Sequence, residues 1–318
     1  MEEPLTSPIP KKVLAPPNVF RRAAENPVIL KELRGRMRGR RAFIVLTAYL
    51  VLLGLLVCTV YGFIAQQSST SPSDPSTRQL AGKVVFSSVI LFEFLLIGFI
   101  GPALTAGAIT SEREHQTYDL LRTTLLSARS LVFGKLSSAC MYLLLLILTA
   151  VPIEALAFLL GGIGLEELLV SGLMLVVDTL FFCALGLFCS SFTKRTLTAT
   201  VTSYAIILLS VLVLGIATFL LVAFTSYYSS SGSSWSITFL TGTMWLMSAT
   251  NPFSAAIVSE IFLIQDQALF LVKVPLSGQT LISTLYLPSP WILHVGLYLV
   301  LTALMVLISI LFVRRPDR

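Results

Sequence analysis

The sequence predicts an all-α polytopic membrane protein with six transmembrane helices, on three observations. Hydrophobic residues make up 55% of the 318, and the mean hydropathy is +0.88. These residues gather in long blocks instead of alternating with polar ones. Charged residues, only 12% of the chain, concentrate in the gaps between blocks. Crossing a hydrocarbon core of about 30 Å takes about 20 helical residues at about 1.5 Å each. Six blocks meet that length, at 42–65, 84–108, 136–161, 168–192, 197–224 and 291–313. Lipid offers no partner to an open backbone, so these blocks are read as helices.

The chain begins with a polar and basic stretch, and residues 1–25 are expected to be a disordered cytoplasmic segment. Residues 26–41 form an expected interfacial elbow helix. Asn26 can cap free amides, and Pro27 is preorganised for the first helical position. Leu30, Leu33 and Met37 then fall on one face, while Lys31, Arg34, Arg36, Arg38, Arg40 and Arg41 crowd the rest. A helix of this kind lies flat on the bilayer, its arginines among anionic headgroups. The plainer alternative is that these charges only fix topology. Nucleic-acid binding is disfavoured, because the basic run directly abuts a span. That first block is 24 residues long, too long for a signal-peptide core, and is expected to remain as an anchor.

Orientation follows from the basic residues. With the amino-terminal side cytoplasmic, 19 of the 22 Lys and Arg fall inside and three (Arg78, Lys83, Lys273) outside. Both termini are then cytoplasmic, with 314–318 as a short tail. On the outer side, 66–83 reads as a flexible Ser/Pro-rich loop and 162–167 as a tight Gly-rich turn ending in Glu166–Glu167. Residues 235–264 are apolar enough to enter the membrane but are broken at Asn251-Pro252. A full seventh span would reverse the basic tail, so a re-entrant or interfacial pair of short helices is expected. An ordinary extracellular loop is the alternative. Trp291 is expected to anchor the outer end of the last span.

Cys58, Cys140, Cys183 and Cys189 all lie inside apolar blocks and read as small apolar residues, not a disulfide framework. His115 and His294 have no ligand-like spacing, and no metal or catalytic constellation emerges. Glu93, Glu154 and Asp178 sit within spans, about 10–15 Å from their outer ends, with no basic residue in any span to pair with. Charges at that depth cost about 2–3 kcal/mol, so all three should face the bundle interior. They are candidates for a translocation path. Equally, each is a candidate for a protonated carboxyl bonded to a neighbouring helix, and Glu154 for a local backbone bond near Pro152.

The segment from Ile109 to Lys135 carries acidic residues first (Glu112, Glu114, Asp119) and basic residues later (Arg122, Arg129, Lys135). That order suits a helix dipole starting near Ser111. Leu120, Leu121, Leu125 and Leu126 form a narrow apolar stripe of the kind that docks into a groove on a partner. A solvated connector is the default on charge alone. This segment resembles the loop after the second span of type-2 ATP-binding-cassette (ABC) transporter permeases, E-R-E-x-G-T-x-E-L-L-x-x-T-P-L-S-x-x-x-I-x-x-G-K. It matches at Glu112, Arg113, Glu114, Thr117, Leu120, Leu121, Thr124, Leu126, Ser127, Gly134 and Lys135, with Asp119 and Leu131 as conservative replacements. The family's Gly and Pro are here Gln116 and Leu125, and losing both turn-formers predicts a more continuous helix. The resemblance extends more loosely to Asn26–Arg38, to Asn251-Pro252-Phe253 and to the six-span layout.

The resemblance implies a coupling helix between spans two and three, engaging a separate ATPase through Glu112, Arg113, Glu114, Thr117, Asp119, Leu120, Leu121 and Thr124. It also implies a working unit of two permeases and two ATPases, acting as an exporter in the plasma membrane. No GxxxxGK[ST] phosphate loop occurs, so this chain is expected to bind no cofactor of its own, and ATP and Mg belong to the partner. Two rivals remain. One is a proton-coupled secondary transporter using the three carboxylates, against which the lack of internal repeats counts. The other is a non-transporting membrane assembly protein whose loop binds some other partner.

Overall fold

The computed structural model describes residues 40–67, 75–116, 127–228, 234–266, 269–276 and 283–314. The expected elbow residues Asn26, Pro27, Leu30, Leu33, Arg34 and Met37 lie outside them, as do Thr117, Asp119, Leu120, Leu121 and Thr124 of the loop. The expectation for residues 1–25 falls outside as well, and of the tail 314–318 only Arg314 is described, as the last residue of the final helix. Six helices are long and apolar enough to cross a membrane, bearing out the predicted fold class. They are α1 (Arg40–Gln67), α2 (Pro75–Thr105), α4 (Ala128–Leu160), α5 (Leu165–Phe192), α6 (Thr196–Tyr228) and α9 (Pro290–Arg314). A single turn of helix, α3 (Thr110–Glu114), links the second and third.

The centre of the bundle is α5, packed against α2, α4, α6 and α9. Its sequence explains the position, because small and apolar residues surround it: Val170, Met174, Leu175, Phe182, Cys183, Ala184 and Leu187 are all buried. Lipid is as apolar as leucine, so association relies on close fit instead of water exclusion. Gly186 supplies that fit. A Cβ there would lie 2.9 Å from the Cα of Pro102 and 3.2 Å from its carbonyl oxygen, so α2 and α5 cross almost backbone to backbone. At the periphery, α6 turns Leu208, Leu209, Leu212, Val213 and Phe219 outward, and α1 is anchored by Tyr49 and Leu53.

Several boundaries differ from expectation. The outer segment 66–83 is not all loop: α2 starts at Pro75, a residue whose fixed φ suits a first helical turn. Residues 128–135, placed in the loop, are the first two turns of α4, because Ser127 accepts the amide hydrogen of Ser130 and starts the helix there. The Gly-rich turn lies at 161–164. Gly161 and Gly162 take φ of +88° and +90°, and Glu166–Glu167 already belong to the first turn of α5.

The broken segment is a helix pair, α7 (Ser234–Thr250) and α8 (Pro252–Asp266), bent by 113° at Asn251. The Asn251 side-chain oxygen accepts the Phe253 amide hydrogen at 3.1 Å, capping α8 with Pro252 at its first position. An antiparallel hairpin follows, β1 (Leu271–Leu276) with β2 (Ser283–Pro288), with Val272 opposite Leu287. The sequence pattern predicts no strands here. Two indoles hold the hairpin's foot, Trp245 donating to the Pro288 carbonyl at 2.7 Å and Trp291 to that of Leu269 at 2.8 Å.

Candidate functional site

The turn between α2 and α4 is tied to three helices at once. Its own amino end is capped from α5, where Ser190 Oγ accepts the amide hydrogens of Ile109 and Thr110 at 2.9 and 3.1 Å. Each residue of the Glu112-Arg113-Glu114 run then reaches a different helix. Glu112 pairs with Lys135 of α4 at 3.3 Å. Arg113 donates to the Thr193 carbonyl at the carboxyl end of α5, at 2.8 Å. Glu114 accepts the Thr196 amide at 2.8 Å and the Thr196 hydroxyl at 2.9 Å, at the amino end of α6.

The signs match the dipoles, a cation at the carboxyl end of one helix and an anion at the amino end of the next. Charge-assisted bonds of this geometry are the stronger kind. Each of these three residues therefore has at least one polar group engaged within the chain. That bracing was not legible in sequence, because the contacts to Thr193 and Thr196 span about 80 residues.

At Gln116 the helix does not run on as the loss of glycine predicts, while Leu125, the other lost turn-former, lies outside the described residues. Helix α3 ends at Glu114, and Gln116 adopts a φ of +57°. The chain keeps the left-handed turn that a glycine would favour and places it on glutamine, a conformation costing about 1 kcal/mol or more.

The three membrane carboxylates are all buried, as the cost of exposing charge to lipid requires: Glu93 is 1% exposed, Glu154 5% and Asp178 0%. They do not form one group. Glu93 of α2 and Glu154 of α4 lie against each other, and the Tyr49 hydroxyl of α1 donates to Glu93 Oε1 at 2.7 Å.

Asp178 has a different partner, contrary to the expectation that no span offers one. His294 Nε2 lies 3.1 Å from Asp178 Oδ1 and 3.3 Å from Oδ2, both residues fully buried. His294 Nδ1 lies 2.9 Å from the Ala249 carbonyl. A carbonyl oxygen only accepts, so Nδ1 carries a hydrogen. One further proton then lies between Nε2 and the carboxyl, whichever atom bears it, and the pair is neutral as a unit. Tyr298, stacked on His294 with centroids 4.0 Å apart, donates to the Thr250 carbonyl at 3.0 Å. Carbonyls left open where α7 breaks are thus taken up by α9. Histidine at position 294 gave no sequence signal, since its partner is 116 residues away.

Six helices long and apolar enough to cross a bilayer, with a polar turn stapled to three of them, define a multi-pass membrane protein. The family model of the ABC-2 family transporter proteins matches residues 27–315, and the chain belongs to that family. It is a permease component of an ABC transporter and a multi-pass membrane protein. Permeases of this family work with an ABC ATPase. No curated protein matches the chain.

Proposed function

We propose that the chain is the membrane-spanning subunit of an ATP-driven exporter, engaged by a separate ATPase at the segment between α2 and α4. The observation that carries this reading is the three-way brace of Glu112, Arg113 and Glu114. A push on the turn reaches α4, α5 and α6 through short charged contacts, without passing through flexible chain. Closure of two ATPases would draw two such turns together and favour one arrangement of the bundle over another. ATP and Mg reside on the ATPase, and a second permease copy or paralogue completes the unit. Nineteen of 22 basic residues on one side support a cytoplasmic turn and cytoplasmic ends, in the plasma membrane.

Copurification tests the docking step. Detergent-solubilised chain is expected to carry a soluble ATPase with it. Combining Glu114→Ala, which frees the start of α6, with Leu121→Asp, which puts a charge into the apolar stripe, should strip most of that ATPase away. Full retention by the double variant would overturn the reading.

A further inference from the structure

Between α5, α6 and α9, beside the break at Asn251, lies a cleft of about 280 Å³. Its walls are Phe182 and Leu185 of α5, Ile207 and Val211 of α6, and Leu301 and Met305 of α9, and no charged residue lines it. Helix α6 packs on α5 and α7 but hardly on α9, so these two helices face each other across the space. Apolar cavities of about 150 Å³ in other proteins stay dry and take up benzene. This one is larger, and no helix has to move to fill it.

The hydroxyls on its wall are turned to the backbone. Ser210 donates to the Ile207 carbonyl at 2.8 Å, Thr250 to the Met247 carbonyl at 2.7 Å and Tyr298 to the Thr250 carbonyl at 3.0 Å. None has a second hydrogen to give. An anionic or carbonyl group would find no side-chain donor in the cleft, and a cation no carboxylate. The occupant is therefore hydrocarbon.

Depth names its source. The α6 wall runs from Ile206 to Leu214, within Thr196–Tyr228, and the α9 wall from Leu297 to Met305, within Pro290–Arg314. Each covers about 12 Å at about 1.5 Å per residue, midway along its helix. At that level a bilayer offers acyl chains. Ile206 and Ser210 are exposed, so the cleft opens sideways to lipid. Leu208, Leu209, Leu212 and Val213 lie on another face of α6, outside the cleft, and leave that face for a neighbouring permease copy.

We propose that this cleft holds one acyl chain of a bilayer phospholipid as a resident wedge between α6 and α9, its methylenes against Phe182, Leu185, Val211 and Leu301. The site asks only that the protein span a bilayer, so it stands whether or not an ATPase docks.

Photochemical labelling of the full protein in phosphatidylcholine nanodiscs tests the site. The probe is a phosphatidylcholine with a diazirine midway along one acyl chain, and labelled residues are read by peptide mass spectrometry. Lipid sliding along the outside reaches Leu208 and Leu212, whereas Phe182 and Leu185, 4% and 1% exposed, are reached only from within the cleft. Wild-type protein should carry label on those two. Val211→Trp, which fills the cleft, should lose it, while Leu212→Trp, on the outward face, should keep it. Leu301→Trp fills the same space from α9 and serves if Val211→Trp misfolds. Label confined to outward residues, or undiminished label at Phe182 and Leu185 in the folded filled variants, would overturn the proposal. So would a disulfide between two otherwise cysteine-free copies carrying Ser210→Cys, formed in place of lipid label, which would assign the cleft to a second permease.

Discussion

Replacing His294 with alanine strands Asp178 in the middle of the bundle. The carboxyl loses its histidine partner at 3.1 Å, and the Ala249 carbonyl loses its donor at 2.9 Å. Both ends of the contact are fully buried. Removing one member of a buried pair costs about 3–5 kcal/mol, most of it the burden of the polar group left behind. Asp178→Asn should behave differently. Its amide nitrogen can donate to Nε2 while Nδ1 still donates to Ala249, so a neutral pair replaces a neutral pair and the cost stays within about 1 kcal/mol. Unfolding by sodium dodecyl sulfate in mixed micelles, followed by tryptophan fluorescence, measures both. Trp245 and Trp291 sit on α7 and α9, the elements that His294 holds together. If Asp178→Asn proves as damaging as His294→Ala, the pair needs full ionisation and the shared-proton account fails. A cost below about 1 kcal/mol for His294→Ala would show that the contact is not holding the helices.

Two further outcomes follow from backbone geometry. Gly186→Ala should cost about 1–3 kcal/mol in the same unfolding assay, because the added methyl meets the Pro102 backbone, which cannot rotate away as a side chain would. At the left-handed turn, Gln116→Val should be less stable than Gln116→Gly by about 1–2 kcal/mol, since a β-branched residue resists a positive φ.

Composition and period carry the sequence reading a long way. Long apolar blocks locate all six crossing helices, because the length needed to span lipid is a strong and local constraint. Asn251-Pro252 announces the break between α7 and α8 by the same cap chemistry that the structure uses. Helix ends are less legible. Hydropathy marks where a helix leaves hydrocarbon, not where it stops, so α2 and α4 run past their predicted limits through Arg78 and Lys135. The hairpin 271–288 is too short to separate from loop by pattern. At the site, burial of the three carboxylates can be argued from cost alone. Their division into Glu93–Glu154 and Asp178–His294 cannot, because pairing depends on which helix faces rotate together. The Glu112-Arg113-Glu114 run stands out in sequence as a handle, and the structure shows that its inner grip is on α4, α5 and α6.

The sharp bend at Asn251 also bears on parity. Six crossings is an even count, whereas counting the pair bent by 113° as one more span makes seven. An even count brings Arg40 and Arg314 out on one shared face, an odd count on opposite faces. A reporter grafted beyond each of them therefore reads that parity directly, landing in one compartment for six crossings and in two for seven.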